Sequence, residues 1–214
     1  VKLATLDEAD ASDHFRELHD AGLSVLAVSR HHPSEAVNAR LMNLETRTPS
    51  LLRAYATNRT ALPNLRCRLI CVLQRGGVES ISDIDEYVRW AVSSGVEEVC
   101  FKELYVSTSH ESVYFSHTAN DWSARNQVPL SLVHRWAEAN GLDRLSRLPW
   151  GSPIFEGTLG GQSIRVAAYT EPSLFWERSN GMARSWNVMA DGTCLTSLED
   201  RRSAIESDGV RGRP

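Results

Sequence analysis

The chain has 214 residues, 42% of them hydrophobic, with 23 Lys and Arg against 27 Asp and Glu and a formal net charge of -4. That is enough apolar material for one sizeable core. The balance excludes a strongly basic nucleic-acid surface and an acidic solvating tail. No apolar run approaches the ~20 residues that a membrane span needs, so neither nucleic acid nor membrane is expected as a partner.

Val1-Lys2-Leu3-Ala4-Thr5-Leu6 reads as a first strand, which together with the absence of an initiating Met points to a fragment. No basic n-region marks a signal peptide. Ala11, Phe15 and Leu18 then share one helical face, closed by Gly22. "LSVLAVS" (23–29) is a short apolar strand. A helical region over roughly 35–60 is broken near Pro49, and "LRCRLICVLQR" (65–75) is the next strand. In "SISDIDEYVRWAVSSG" (80–95), Ser80 or Ser82 caps a helix whose inner face carries Ile81, Ile84, Val88 and Ala91. "VEEVCFKELYV" (96–106) is a strand, followed by a long polar loop suited to substrate contact. "VPLSLVHRWAEANG" (128–141) is a helix. Two hairpins follow, around Gly160-Gly161 and Asp191-Gly192, and the tail from Ser207 is expected to be disordered.

Three helices end in Gly followed by an apolar residue, at Gly22, Gly95 and Gly141. Strands alternating with helices through such short turns predict a parallel sheet with both faces covered. The resulting organisation is βα units over 1–145, a β-hairpin extension over 146–206 and a tail over 207–214.

The strands switch abruptly from apolar to polar at their C-terminal ends: Val28 to Ser29-Arg30, Leu73 to Gln74-Arg75, and Phe101 to Lys102-Glu103. In parallel α/β sheets ligands bind at that end. Arg30 and Arg75 carry the planar donor fork that suits carboxylate or phosphate. His31 and His32 are a solvated or substrate-facing pair rather than a metal site, because adjacent residues in an extended chain point to opposite sides. Cys67, Cys71 and Cys100 sit in apolar strands and read as buried cytoplasmic thiols. Cys67-x-x-x-Cys71 has Gln74 where a third cluster thiolate would stand, and Cys194 is solitary, so no metal ligand is expected in the chain.

The order "HFRELHDAGLSVLAVSRHHP", then "LRCRLICVLQRGGVESISDIDEYVRWAVSSGVEEVCFKELYV", then "NVMADGTCLTSLED" resembles the radical S-adenosylmethionine (radical SAM) superfamily. The nearest branch is that of the molybdenum cofactor biosynthesis protein A-like enzymes. The resemblance covers about residues 1–200. It implies a partial (β/α) barrel, a radical SAM version of the TIM barrel, with C-terminal β-hairpins. It also implies a [4Fe-4S] cluster and S-adenosylmethionine at the barrel's C-terminal face, a reducing electron donor, and hydrogen abstraction from a small-molecule or peptide substrate. By position, Thr5, Ser29, Arg30 and Gln74 would bind the cofactor, and Arg75, Lys102 and Glu103 would face substrate. The family's Cys-x3-Cys-x2-Cys loop and "GGEP" strand end are absent here. The cluster ligands are therefore expected upstream, and this chain alone is expected to be inactive. Two other readings stay open: a (β/α) barrel aldolase or metal-dependent hydrolase using Lys102 or the histidines, and a non-catalytic barrel remnant acting as a binding module.

Overall fold

The computed structural model describes residues 5–107, 109–113, 115–172, 174–183 and 186–205. Val1–Ala4 of the expected first strand and the 207–214 tail lie outside them. Thr5 and Leu6 are described, and neither is in a strand. The described residues form two compact units, one within Val1–Leu104 and Asn126–Thr170, the other within Tyr105–Arg125 and Glu171–Pro214. The division expected at 145/146 therefore falls elsewhere. The first hairpin belongs to the larger unit because one of its strands pairs with the main sheet.

In the larger unit, α1 (Glu8–Asp20) starts at Asp7, whose carboxylate accepts from Asp10 N at 3.0 Å. It stops before Gly22 at φ +87°, a left-handed conformation that costs glycine no Cβ clash. β1 (Val25–Ser29) follows. The 35–60 region divides into α2 (Glu35–Met42) and α3 (Thr48–Asn58). Asn43 at φ 47° ends α2, and Pro49 sits in the first turn of α3, where its missing N–H leaves no helical bond unmade. β2 (Arg66–Leu73) leads to α4 (Ile81–Ser93), which opens with a capping box: Ser80 Oγ accepts from Asp83 N, and the Asp83 carboxylate accepts from Ser80 N. β3 (Glu98–Glu103) follows. The polar loop expected after it contains a helix, α5 (His117–Asn126). Beyond lie α6 (Ser131–Ala139), β4 (Asp143–Arg147), β5 (Pro153–Leu159) and β6 (Gln162–Tyr169).

The six strands form one sheet in the order β1-β2-β3-β6-β5-β4. β1, β2, β3 and β6 run parallel, whereas β5 and β4 pair antiparallel. This is an α/β fold with a mostly parallel sheet. Among the described residues the sheet is open, with β1 and β4 as its edges.

Register assigns each side chain to a face. Val28, Leu69, Val99, Val166 and Phe155 line up across five strands and join the core with Ala11, Phe15, Leu51, Tyr55, Ile84, Val88, Val133 and Trp136 from α1, α3, α4 and α6. The opposite face was expected to be covered too, and it is not apolar throughout. β2 alternates buried and half-buried residues, with Arg66, Arg68, Ile70 and Val72 on the second face. There the buried Glu98 carboxylate accepts from Arg66 (Nη1–Oε1 2.6 Å) and Arg68 (Nη2–Oε2 2.7 Å), and the neighbouring Arg165 pairs with Glu156 at 2.9 Å. A central strand whose second face carries arginines needs these cross-strand pairs, because like charges in register repel.

The smaller unit holds most of α5, then α7 (Leu174–Asn180) and a hairpin of β7 (Asn187–Val188) and β8 (Cys194–Leu195) around Asp191-Gly192, as the sequence suggests. Its two chain segments are tied by Val113 N to Leu198 O (2.9 Å), Arg201 N to Glu111 O (2.8 Å) and Ser112 Oγ to Glu199 Oε1 (3.1 Å).

Candidate functional site

The C-terminal ends of β1, β2 and β3 are adjacent, since Ser29 pairs with Ile70 and Val72 with Lys102, which in turn pairs with Tyr169 of β6. Ser29, Val72, Lys102 and Tyr169 therefore share the face away from the helical core. Ser29 is exposed and its hydroxyl makes no hydrogen bond among the described residues. Lys102 Nζ lies 4.3 Å from the centroid of the Tyr169 ring, a contact that suits an ammonium.

Gln74 stands one residue past β2. It is only 6% exposed, yet its carboxamide has no partner among the described residues. No fully buried side-chain nitrogen or oxygen there lacks a partner, so the amide head must reach open space while the rest of the side chain is packed. A bridge to Gln127 fixes its backbone. Arg75 follows it, exposed, with its guanidinium unpaired among the described residues and its N–H donating to Asn126 O at 3.0 Å.

Three expected site residues are used differently. Arg30 is fully buried. Its Nε donates to His32 O (2.7 Å), Nη2 to Pro33 O (2.6 Å) and Nη1 to Thr46 Oγ1 (3.3 Å), while Nη1 also pairs with Glu35 Oε1 at 2.7 Å. The guanidinium lies 5.4 Å from the Trp90 ring centroid. With its donors taken by its own turn, Arg30 is a clamp on residues 30–35 and has no fork left for a cofactor carboxylate. Glu103 Oε1 accepts from Leu130 N at 2.8 Å, at the start of α6, where the helix dipole favours a carboxylate. Thr5 is not at a strand end.

The histidines separate. The β1–β2 ladder reaches Arg30, whose N–H donates to Ile70 O at 2.9 Å. The next ladder bond would join Val72 N to Arg30 O, but side chains replace it. Arg30 O accepts from the buried Tyr87 hydroxyl (2.7 Å), and Val72 N donates to His31 Nδ1 (3.1 Å). The His31 ring thus stands in the gap between two strand ends, and burial pushes its pKa below 6.5. His32 Nδ1 accepts from Ser34 N at 2.9 Å within the turn. Asn38 and Tyr87, which hold this turn, carried no sequence signal, since an inward-facing amide and phenol look like ordinary helix residues.

Cys67, Cys71 and Cys100 are buried and Cys194 half-buried, all as free thiols. Burial pushes Cys67 up to about 12 and Cys71 well above the usual thiol range. Among the described residues, no group of three or more His, Cys, Asp or Glu is placed to hold a metal ion. In the smaller unit a cavity of about 330 Å³ is lined by Glu177, Arg178, Met182, Ser197, Asp200 and Ser203. Its polar lining is largely bonded to itself: Ser197 Oγ donates to Glu177 (2.7 Å), Ser203 Oγ donates to Ser197 O (2.9 Å), and Arg178 pairs with Asp200. Among the described residues Ser29, Gln74 and Arg75 have unpartnered side-chain groups at the strand ends, which makes those the better candidate. Among the described residues, no helix is long and apolar enough to cross a membrane.

No family model matches the chain, and no curated protein matches it. Among solved structures, the crystal structure of Streptococcus suis SuiB is similar over 55% of this chain, at 14% identity and a TM-score of 0.34. This chain spans 23% of that one. A likeness of that strength places the chain in no family.

Proposed function

We propose that the chain is the C-terminal part of a radical SAM-type core, its open sheet forming part of an incomplete (β/α) barrel, and that its strand ends bind S-adenosylmethionine. The observation that carries this reading is the packed Gln74 side chain whose carboxamide has no partner among the described residues, at the end of a parallel strand where such sheets take their ligands. Because the amide head reaches open space, water can serve it until a ligand with matching donors and acceptors takes that place. In this reading Lys102 meets the carboxylate of S-adenosylmethionine, while Ser29 and Gln74 hydrogen-bond its hydroxyl or base edges. Bound S-adenosylmethionine would supply the 5'-deoxyadenosyl group. Arg75, exposed beside Gln74, faces the substrate, a small molecule or peptide, and a reducing electron donor completes the reaction.

The residues present do not fit a [4Fe-4S] cluster. The cluster needs exposed thiolates in a loop, whereas Cys67, Cys71 and Cys100 are buried in strands. The part assigned to this chain is therefore to hold and orient the ligand. Equilibrium dialysis with labelled S-adenosylmethionine tests it. Saturable binding is expected, weakened about tenfold or more in Gln74→Leu. No saturable binding, or the same affinity in the variant, overturns the reading.

A further inference from the structure

Residues 30–34 form a short turn at the edge of the sheet, and the fold fixes it far more firmly than a surface turn requires. The buried Arg30 holds two of its carbonyls. The buried Asn38 accepts from His31 N at 2.8 Å. Cys71 Sγ lies 3.7 Å from His31 O, and Val72 N donates to His31 Nδ1. Backbone on both sides of His31, and one nitrogen of its ring, are thereby set.

A nitrogen that accepts from a backbone N–H cannot itself carry a proton. In the neutral ring the proton then sits on Nε2, which becomes a donor. Nε2 has no partner among the described residues. Since no fully buried side-chain nitrogen there lacks one, Nε2 reaches open space. His31 adjoins Val72, which lies two residues before Gln74 and in register with Lys102. Neighbouring strands are about 4.8 Å apart, so these groups bracket one small region.

We propose that His31 is a ligand-binding residue of this site: locked by Val72 N–H as the Nε2-protonated tautomer, it donates that N–H to an acceptor oxygen of the ligand. The assignment rests on the S-adenosylmethionine reading above and adds a contact to it. A neutral donor discriminates differently from Lys102, because it recognises an oxygen by direction rather than by net charge.

His31→Asn separates the two roles of the ring. Asn can place an oxygen near the Nδ1 position and keep the Val72 bond, but it has nothing at the Nε2 position. Urea denaturation should give nearly the wild-type midpoint, while dialysis should show S-adenosylmethionine bound about tenfold more weakly. Long-range 1H–15N spectra of the wild type should show a ring protonated on Nε2, whose Nε2 signal moves with added S-adenosylmethionine while Nδ1 stays. Wild-type affinity in His31→Asn, or a ring protonated on Nδ1, overturns the proposal and leaves the binding reading intact. Absence of saturable binding in the wild type overturns both.

Discussion

Arg30→Ala measures how much of the strand-end architecture depends on one buried cation. Removing the guanidinium leaves His32 O and Pro33 O without their donor and opens a cavity beside Trp90. A buried acceptor stripped of its partner costs about 1–3 kcal/mol. Glu35 is 47% exposed, so its carboxylate returns to water and adds little. Thr46 keeps contacts with Asn38 and Thr48. Two carbonyls plus lost packing therefore come to about 3–5 kcal/mol, near the range for breaking a buried charge interaction. With a urea m-value of about 2 kcal/mol/M, the midpoint should fall by roughly 2 M. Arg30→Met restores volume but not donors, and should still lose about 2 kcal/mol or more. Arg16→Ala is the control: its pair with Asp13 is exposed at both ends and is worth under about 1 kcal/mol. Trp fluorescence during urea unfolding follows all three. If either Arg30 variant unfolds within about 1 kcal/mol of wild type, the clamp assignment is wrong and Arg30 returns to the list of possible ligand contacts.

Stability should fall as pH is lowered from about 7 toward 5. Burial lowers the pKa of His31, His32 and His134 below the 6.5 of an unfolded histidine. Below 6.5 the unfolded chain takes up protons that the folded chain does not yet accept, so their contribution is present above 6.5 and is lost down to the folded values. Urea midpoints that stay flat or rise on acidification contradict this. Gly157→Ala should cost about 1–3 kcal/mol by overpacking, since a Cβ there would stand 2.8 Å from Leu142 Cγ and 3.4 Å from its Cα. A wild-type melting temperature in that variant refutes the packing of Leu142 on β5.

The elements that follow strong local chemistry were legible from sequence. The three Gly stops and the two hairpins rest on left-handed backbone that glycine adopts freely, the Ser80 cap on its side-chain hydrogen bonds with Asp83, and each appears where expected. What failed depended on how strands pair or on a helix that lacks an apolar stripe. "DRLSR" follows a helix-to-strand turn like those before it, but β4 joins β5 antiparallel because the chain turns back through Gly151 instead of crossing over. The second face of the sheet read as covered because β2 and β3 contain so many apolar residues. Register places Arg66, Arg68, Glu98 and Arg165 together on that face, and no single strand shows this. α5 was hidden because "HTANDWSARN" buries no side chain and so has no apolar stripe to display.

The polar residues at the strand ends were easy to find and hard to sort. Residue type and position put Arg30 among the expected cofactor contacts and Glu103 among the substrate-facing residues. Charge is also what a fold needs to close a turn or start a helix, and a buried charge with unused valence is too costly to keep. Arg30 is accordingly filled by its own turn, and Glu103 by the Leu130 N–H at the start of α6. Groups that can wait for a ligand are those whose idle state is cheap: the exposed hydroxyl of Ser29, an amide with its head in open space, a neutral imidazole with one nitrogen engaged. That criterion, rather than charge, selects Ser29, Gln74 and His31 as the proposed contacts, beside Lys102, whose Nζ lies against the Tyr169 ring. It also explains why "SRHH" ends a core strand: its arginine fixes the turn, and its first histidine fills the broken ladder while keeping one N–H for a ligand.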